Sequence, residues 1–337
     1  MNKHLAEFKS QLTTILDTKD IPIGLFSGKM GLCIYFYHLG KIENNERYTK
    51  IAEKLIDETF EQITTVSTID IESGLSGIAI GINYLIKNGY VEGDENVILK
   101  EIDDEIFKQV SFQESDNNIS ILIQILFYIY IRKQSLQKEQ EYLFNELTIQ
   151  IINTLHTKIE YILKDNTIGF NINTDLPLFL FALSKIYQLN IYSYKIIKII
   201  QEITPFLLSK FGFLNSKKLH LLWGISKINA CIKDKHLAEY CILLTKQINI
   251  DDLLNEFRNK NMFVKDGISG ICLLMLSLDK NEKQNLNLNT FYIKALEKIE
   301  KSLIWESLSN TEYLKRHIGL NGYCGVNMIM HIIRDSI

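Results

Sequence analysis

Acidic and basic side chains stand at the openings of several apolar stretches of this sequence. Lys265 and Asp266 directly precede a glycine, Asp175 opens a further stretch, and His317 lies two residues before a glycine. A carboxylate and a base that are held together can act as a general acid and a general base. We therefore take these four residues as candidate catalytic groups. The candidates for substrate binding are Glu72, Ser73, His220, Trp223, Asn321 and Tyr323.

One chemistry open to these carboxylates is that of a hydrolase or lyase, with Asp266 and either Glu72 or Asp175 as the acid and base. Glycosidases need two carboxyl groups at a defined separation, which sequence spacing does not give. A solvated polar rim is the plainer interpretation of the same residues. The acidic pairs at 103–104 and 251–252 do not continue as the DDxxD motif of terpene cyclases.

The cysteines and histidines form no familiar metal motif. The five cysteines are an odd number, widely spread and without a CxxC pair, so we expect free thiols. Cys33 and Cys272 suit packing inside a helix. Cys324 lies near a helix start; a packing role is the favoured interpretation, and a thiol pKa lowered by the helix dipole is the alternative. The histidines lack the HxxxH spacing of paired ligands. We expect no metal and no cofactor, with a site built from Asp266, Cys324 and a histidine as the alternative.

A short unit recurs along the chain: a small polar residue, then Gly-x-x-Gly, then an apolar run. Four clear copies begin at Ser27, Ser73, Asp266 and Asn321. Degenerate copies lie near residues 119, 175 and 224, which gives seven units with a period of about 50 residues.

Between these units lie amphipathic segments such as 46–63, 192–211 and 291–304, whose apolar residues recur at spacings of three and four. They predict outer helices. The glycine-led stretches are apolar nearly all round, which predicts inner helices that begin at or next to Gly28, Gly74, Gly224, Gly267 and Gly322. The predicted fold class is all-α: an α/α toroid, a double-layered ring of about seven helical hairpins that forms a single domain over residues 1–337.

The paired glycines have a mechanical explanation in such a ring. A residue without Cβ lets neighbouring backbones approach where inner helices converge, and lets the entering loop take a positive φ. A phosphate-cradling role is less favoured, because Gly-x-x-Gly alone lacks the lysine and the preceding strand of a P-loop.

Composition and charge exclude several classes of protein. Hydrophobic residues make up 46% and charged residues 23% of the chain, as in a globular protein with a large core. The net charge of −3 provides no overall basic field for nucleic acid or an anionic membrane. No apolar run reaches the length of a membrane span, and the first residues lack a secretory signal pattern. We therefore expect a cytoplasmic protein.

The repeats resemble those of the lanthionine synthetase C-like (LanC-like) family. The segments GLFSGKMGL, ESGLSGIAIGINYLIKNGYVEGD, DGISGICLLML and GLNGYCGV are similar to that family's signatures, most specifically over residues 73–94. The resemblance implies an α/α toroid that binds a peptide. Family members hold zinc through two cysteines and a histidine, and the metal activates a peptide thiol that closes a thioether ring.

This sequence departs from the family at the zinc ligands. Where the resemblance implies Cys-His-Gly in the sixth repeat, the chain reads Lys265-Asp266-Gly267, and Leu222 stands where the fifth repeat has its cysteine. The histidine implied in the fourth repeat is replaced around Asp175. Since a catalytic zinc site needs three protein donors, we expect no zinc-dependent cyclase.

We therefore expect a LanC-like protein of a modified-peptide pathway of the lanthipeptide or RiPP type, which binds a peptide or another modifying enzyme over the face of the ring axis. If it is an enzyme, it is a divergent cyclase-like lyase that uses Lys265 and Asp266. The toroid hydrolase or lyase and a non-catalytic interaction scaffold are the alternatives.

Overall fold

The computed structural model describes residues 3–16, 21–112, 118–136, 138–164, 168–210, 212–284 and 286–336. Within these residues the chain forms α-helices and two 3₁₀ turns, Ile63–Thr65 and Leu303–Ser309, and no β-strand. None of the described helices combines the length and the apolar character that a bilayer span requires.

The helices are numbered in chain order. The first eight are α1 (Lys3–Ile15), α2 (Lys29–Glu43), α3 (Glu46–Gln62), α4 (Leu75–Lys87), α5 (Glu95–Ile98), α6 (Lys100–Phe112), α7 (Ile119–Arg132) and α8 (Lys138–Thr157). The next nine are α9 (Ile159–Leu163), α10 (Asp175–Gln188), α11 (Ser193–Ser209), α12 (Asn215–Ile232), α13 (Lys235–Gln247), α14 (Ile250–Asn255), α15 (Ile268–Ser277), α16 (Lys280–Gln284) and α17 (Leu288–Glu300). The last two are α18 (Thr311–Arg316) and α19 (Tyr323–Ser336).

The chain divides into two compact units. Unit 1 comprises residues up to Leu147 together with Leu303–His331, and unit 2 comprises Thr148–Ser302 together with the residues from Ile332 onwards. In unit 1, α2 packs on α3 and α4, and α4 packs on α7. In unit 2, α12 lies between α10 and α15 and also packs on α13. The single domain over residues 1–337 stays a prediction.

The predicted distinction between inner and outer helices is visible in the burial of each helix. The glycine-led helix α2 buries side chains on nearly every side, including both aromatic and aliphatic residues. Its neighbour α3 buries only Ala52, Leu55, Ile56 and Thr59, which form one stripe at helical spacing. The same contrast separates α4 from α6.

Two kinds of helix start occur among these helices. Several helices begin with an asparagine or aspartate whose side chain accepts a backbone N–H, for example Asn45 before α3 and Asp234 before α13. The inner helices α2, α4 and α15 instead begin at Gly28, Gly74 and Gly267, without a side-chain cap. Their first N–H groups donate to carbonyl oxygens of the loop that precedes each helix.

The close approach of that loop explains the glycine pairs. The N–H of Leu75 donates to the carbonyl of Thr68 across 2.9 Å, and a Cβ on Gly77 would lie 2.0 Å from the carbonyl oxygen of Ile71. The φ angles of Gly28 and Gly267 are −142° and −135°, which is extended backbone. The part of the prediction that invoked positive φ is therefore wrong at these starts. Because loop carbonyls accept these N–H groups, the starts are not phosphate cradles.

The predicted helix starts are confirmed next to four of the five glycines, and the prediction is wrong at Gly224. Helix α12 begins at Asn215, so Gly224 lies in its interior. A Cβ there would lie 2.8 Å from Cα of Pro177 on α10. Gly224 thus allows two helices to pack closely, a role that a sequence pattern does not separate from that of a helix start.

Candidate functional site

In unit 2, one candidate catalytic residue opens an inner helix. Asp175 is the first residue of α10, where the helix dipole favours a carboxylate. The preceding loop is fixed by its own hydrogen bonds: the N–H of Asn173 donates to Oδ1 of Asn171 across 2.8 Å, and Oγ1 of Thr174 donates to the carbonyl of Asn171. Asp175 is therefore held at the end of an ordered turn.

A second loop of unit 2 carries Lys265 and Asp266. The carbonyl oxygen of Lys265 accepts the N–H of Ile172 across 2.8 Å, so this loop is joined to the turn that precedes Asp175. The side chain of Lys265 is half-buried and that of Asp266 is exposed. Three of the four candidate catalytic residues thus lie on, or directly after, two loops that contact each other through the backbone.

His220 and Trp223 lie one turn apart on α12 and are both buried. The ring of His220 contacts Phe170 edge-on with centroids 5.8 Å apart and lies 5.7 Å from the ring of Trp223. The indole of Trp223 packs on Phe181 at 4.6 Å, and within the described residues its Nε1 atom has no hydrogen-bond partner. Both side chains therefore pack in the interior of unit 2.

A pocket of about 530 Å³ opens beside these residues, entirely within unit 2. The described parts of its walls come from residues 168–174 before α10, the first turn of α10, residues 210 and 212–214, and the first turns of α12. Thirteen of the described residues line it: Ile168, Phe170, Asn171, Thr174, Leu176, Pro177, Lys210, Gly212, Phe213, Leu214, Lys217, His220 and Leu221. The volume and the apolar lining with few polar groups are typical of small-ligand pockets.

Sequence reasoning identified His220 in this pocket and missed most of the rest. Ile168 and Phe213 are almost completely exposed, although both are large and apolar. They occur in the sequence segments KDNTIGFN and KFGFLN, where apolar residues are mixed with glycine and polar residues. Apolar side chains in such segments are the signal that could have indicated a binding rim.

The remaining candidates belong to unit 1. Nδ2 of Asn321 donates to Oε1 of Glu72 across 3.3 Å, and the N–H of Asn321 donates to the carbonyl of Phe26. Ser73 donates through its N–H and its hydroxyl to Oδ1 of Asp70. These residues hold together the loops before α2, α4 and α19.

His317 and Tyr323 of unit 1 have mainly structural contacts. His317 directly follows α18, packs on Tyr313 with centroids 4.4 Å apart, and accepts the N–H of Tyr323 at its carbonyl. Tyr323 is completely buried, and its hydroxyl donates to the carbonyl of Ile304 across 2.8 Å. The structure therefore places Tyr323 in the core and not on a surface that contacts a substrate, because its ring fills space beside Phe8 and Trp305.

The positions at which the resemblance implies zinc ligands do not fit a zinc ion. Leu222 is fully buried and carries no donor atom, and a lysine and an exposed aspartate stand at 265 and 266. A catalytic zinc takes three donors from histidine, cysteine and carboxylate side chains. Among the described residues, no three His, Cys, Asp or Glu side chains are grouped so that they could hold a metal ion.

The inner-helix cysteines are packing residues. Cys33, Cys272 and Cys324 are fully buried, and Sγ of Cys33 donates to the carbonyl of Ala52. Burial raises the pKa of all three thiols above the usual value. This agrees with the favoured packing role of Cys324; the alternative, a thiol pKa lowered by a helix dipole, is wrong because desolvation of the thiolate is the larger effect.

The chain is similar to one protein family over part of its length and to a solved structure over most of it. Residues 20–172 match the family model described as lanthionine synthetase C-like protein. The solved structure of a nisin cyclase matches with a TM-score of 0.68 at 13% sequence identity, over 97% of this chain and 92% of that chain. No protein with curated annotation matches the sequence. The predicted all-α class and α/α toroid fold are confirmed by this structural likeness.

Proposed function

We propose that the chain is a member of the lanthionine synthetase C-like family, whose model matches residues 20–172, and that it acts in the biosynthesis of a lanthipeptide-type modified peptide. In this proposal the protein binds the peptide at the loop ends of unit 2 and does not close thioethers with zinc. The precursor peptide of such a RiPP pathway is made on the ribosome, so the proposed location is the cytoplasm. The proposed working unit is one domain over residues 1–337.

The pocket of unit 2 carries this proposal. It adjoins the turn that precedes Asp175, and that turn is joined by a hydrogen bond to the loop of Lys265 and Asp266. An open apolar pocket beside charged loop residues suits a peptide side chain whose backbone runs over the loops. The substitutions at 222, 265 and 266 support a binding role over zinc-dependent ring closure, since the family's ligand set is not available there.

The experiment first identifies a precursor peptide among the reading frames next to the gene, and then uses the full chain with that peptide in dehydrated form. Thioether formation adds a peptide thiol to a dehydrated residue, so the peptide mass does not change and one alkylatable thiol is lost. We expect calorimetry to show binding. We expect the number of iodoacetamide-reactive thiols, counted by mass spectrometry, to stay the same with and without added zinc.

Each contrary result has a definite meaning. Absence of binding to the precursor peptide would contradict the peptide-pathway function. A zinc-dependent loss of thiols would show a cyclase and overturn the non-zinc part. Loss of thiols without zinc, abolished by Lys265→Ala, would establish the divergent lyase that uses Lys265 and Asp266 in place of a purely binding protein.

A further inference from the structure

The geometry points to a specific occupant for the pocket of unit 2: a peptide segment in which a large apolar side chain is adjacent to a carboxylate. This inference rests on the proposed function, and it names the chemistry of the segment that the protein selects. It is carried by two independent features of the pocket, the apolar surface and the charges at its edge.

The apolar surface extends from the floor of the pocket to its rim. Leu176, Pro177 and Leu221 contribute buried or nearly buried apolar atoms, and Phe170 presents an aromatic ring. At the rim, Ile168 is 95% exposed and Phe213 is 101% exposed. Large apolar side chains fully exposed beside a pocket gain free energy only when an occupant covers them. The occupant therefore needs an apolar group of its own.

Among the described residues that line the pocket, the charged groups are of one sign. They are Lys210 and Lys217, and no described lining residue is acidic. The ammonium of Lys210 is positioned, because its Nζ donates to the carbonyl of Leu163 across 2.7 Å and its own carbonyl accepts the hydroxyl of Tyr240. An ammonium that is already oriented loses less side-chain entropy when it binds an anion.

Lys217 adds a second cation at a place where helix stability does not favour one. It lies in the first turn of α12, which contains no acidic residue, and the partial positive charge of a helix N-terminus disfavours a lysine there. The carboxylate of Glu256 accepts the N–H groups of Asn215 and Ser216 and so caps the helix. The pocket thus combines an apolar floor with a positive edge, and its complement is an apolar group next to a carboxylate.

The test uses capped dipeptides that differ only in charge. Each contains 4-fluorophenylalanine followed by glutamate, glutamine or lysine, and binding to the full chain is followed by the ¹⁹F line width. We expect the glutamate peptide to bind about threefold more tightly than the glutamine peptide, and the lysine peptide to bind most weakly. Added salt should reduce the advantage of the glutamate peptide, since edge charges are screened.

Variants separate the two features. The double variant Ile168→Ser and Phe213→Ser should weaken all three peptides about fivefold or more, because it removes exposed apolar area without touching the core. Lys217→Gln should abolish the preference for glutamate over glutamine and leave the affinity of the glutamine peptide unchanged. The matched controls in unit 2 are Ile293→Ser and Lys235→Gln, which are exposed and lie outside the lining. They should bind like the wild type.

Equal binding of the three dipeptides, or an unchanged preference in Lys217→Gln, would overturn the inference that the occupant carries a carboxylate. If the double variant at Ile168 and Phe213 is folded by circular dichroism and keeps wild-type affinity, the inference that the occupant binds in the pocket of unit 2 is overturned. These outcomes are distinct from failure of the proposed function, because the precursor peptide is measured separately. If the precursor peptide binds the double variant as tightly as the wild type, the proposed function is unaffected, but the pocket is not the binding site.

Discussion

The backbone N–H of Ile172 donates a hydrogen bond to the carbonyl oxygen of Lys265 across 2.8 Å. This bond joins the turn before Asp175 to the loop that carries Lys265 and Asp266, and it uses no side-chain atom of the lysine. The hydrogen bond between the two loops therefore does not depend on the side chains at positions 265 and 266. That separation makes the role of the two charged side chains accessible to experiment.

The double variant Lys265→Ala and Asp266→Ala should fold as the wild type does and lose affinity for the precursor peptide. The backbone hydrogen bond remains and Asp266 is exposed, so we expect the melting temperature to change by less than about 4 °C. Peptide affinity should fall about tenfold, which calorimetry measures.

The matched control is Lys235→Ala with Glu239→Ala, an exposed ion pair on α13 that lies outside the pocket. It should change neither stability nor binding. A large drop in melting temperature with unchanged binding would show that Lys265 and Asp266 are a structural replacement for zinc. No change in either property would remove both residues from the site.

Gly77→Ala should strongly destabilise unit 1. A Cβ at this position would lie 2.0 Å from the carbonyl oxygen of Ile71, and backbone atoms must move to accommodate it. We expect a loss of about 2 kcal/mol or more in the free energy of unfolding, from the urea midpoint by far-UV circular dichroism. Gly169→Ala is the control, because a Cβ there meets no atom of the described residues within 4 Å and should raise stability by about 0.5 kcal/mol. Equal effects of the two changes would refute the close-approach explanation.

The buried ion pair of unit 1 should be far more sensitive to single than to double replacement. Nη2 of Arg132 lies 2.7 Å from Oδ2 of Asp103, both side chains are buried, and the hydroxyl of Tyr128 also donates to Asp103. Asp103→Ala leaves a buried guanidinium without its carboxylate and should cost about 3–5 kcal/mol in urea unfolding.

Asp103→Leu combined with Arg132→Met should cost much less than that single change, because no unpaired charge remains. Glu105→Ala breaks the exposed pair with Lys108 and should have no measurable effect. If Asp103→Ala proves as mild as Glu105→Ala, the ion pair is not a significant support of α6 and α7.

Stability should decrease in mild acid partly through His38. Burial, together with the charge of Lys41, lowers the pKa of His38 below its usual 6.5. The unfolded chain then binds a proton at higher pH than the folded chain does. The contribution of neutral His38 is therefore fully present above about pH 6.5 and is lost as the pH falls toward and through the lowered value.

The measurement is the urea midpoint between about pH 5 and pH 7.5 for the wild type and for His38→Gln. Glutamine keeps a partner for the hydroxyl of Tyr84, which hydrogen-bonds to Nε2 of His38, and does not titrate. The variant should show a weaker decline toward acid. Parallel curves for the two proteins would mean that His38 does not contribute to the pH dependence.

The residue pattern by itself determined the helical class, the alternation of inner and outer helices and the recurring helix starts. These features are local: the spacing of apolar residues decides which face of a helix is buried, and a glycine next to an apolar run marks a start such as Gly74. The absence of the expected zinc ligands at positions 222, 265 and 266 was equally visible, because recognising it requires only the residue types at the matched positions.

Tertiary structure alone decided the rest. It placed Gly224 inside α12 against Pro177, Tyr323 in the core and Cys324 in surroundings that raise the thiol pKa. It also assembled the pocket of unit 2 from loops that are far apart in the chain, whereas the sequence had indicated only His220 there. Periodicity reports the burial of one helix face, but a cavity, a desolvated thiol or a hydrogen bond such as that between Ile172 and Lys265 depends on distances between separate segments, which only packing determines.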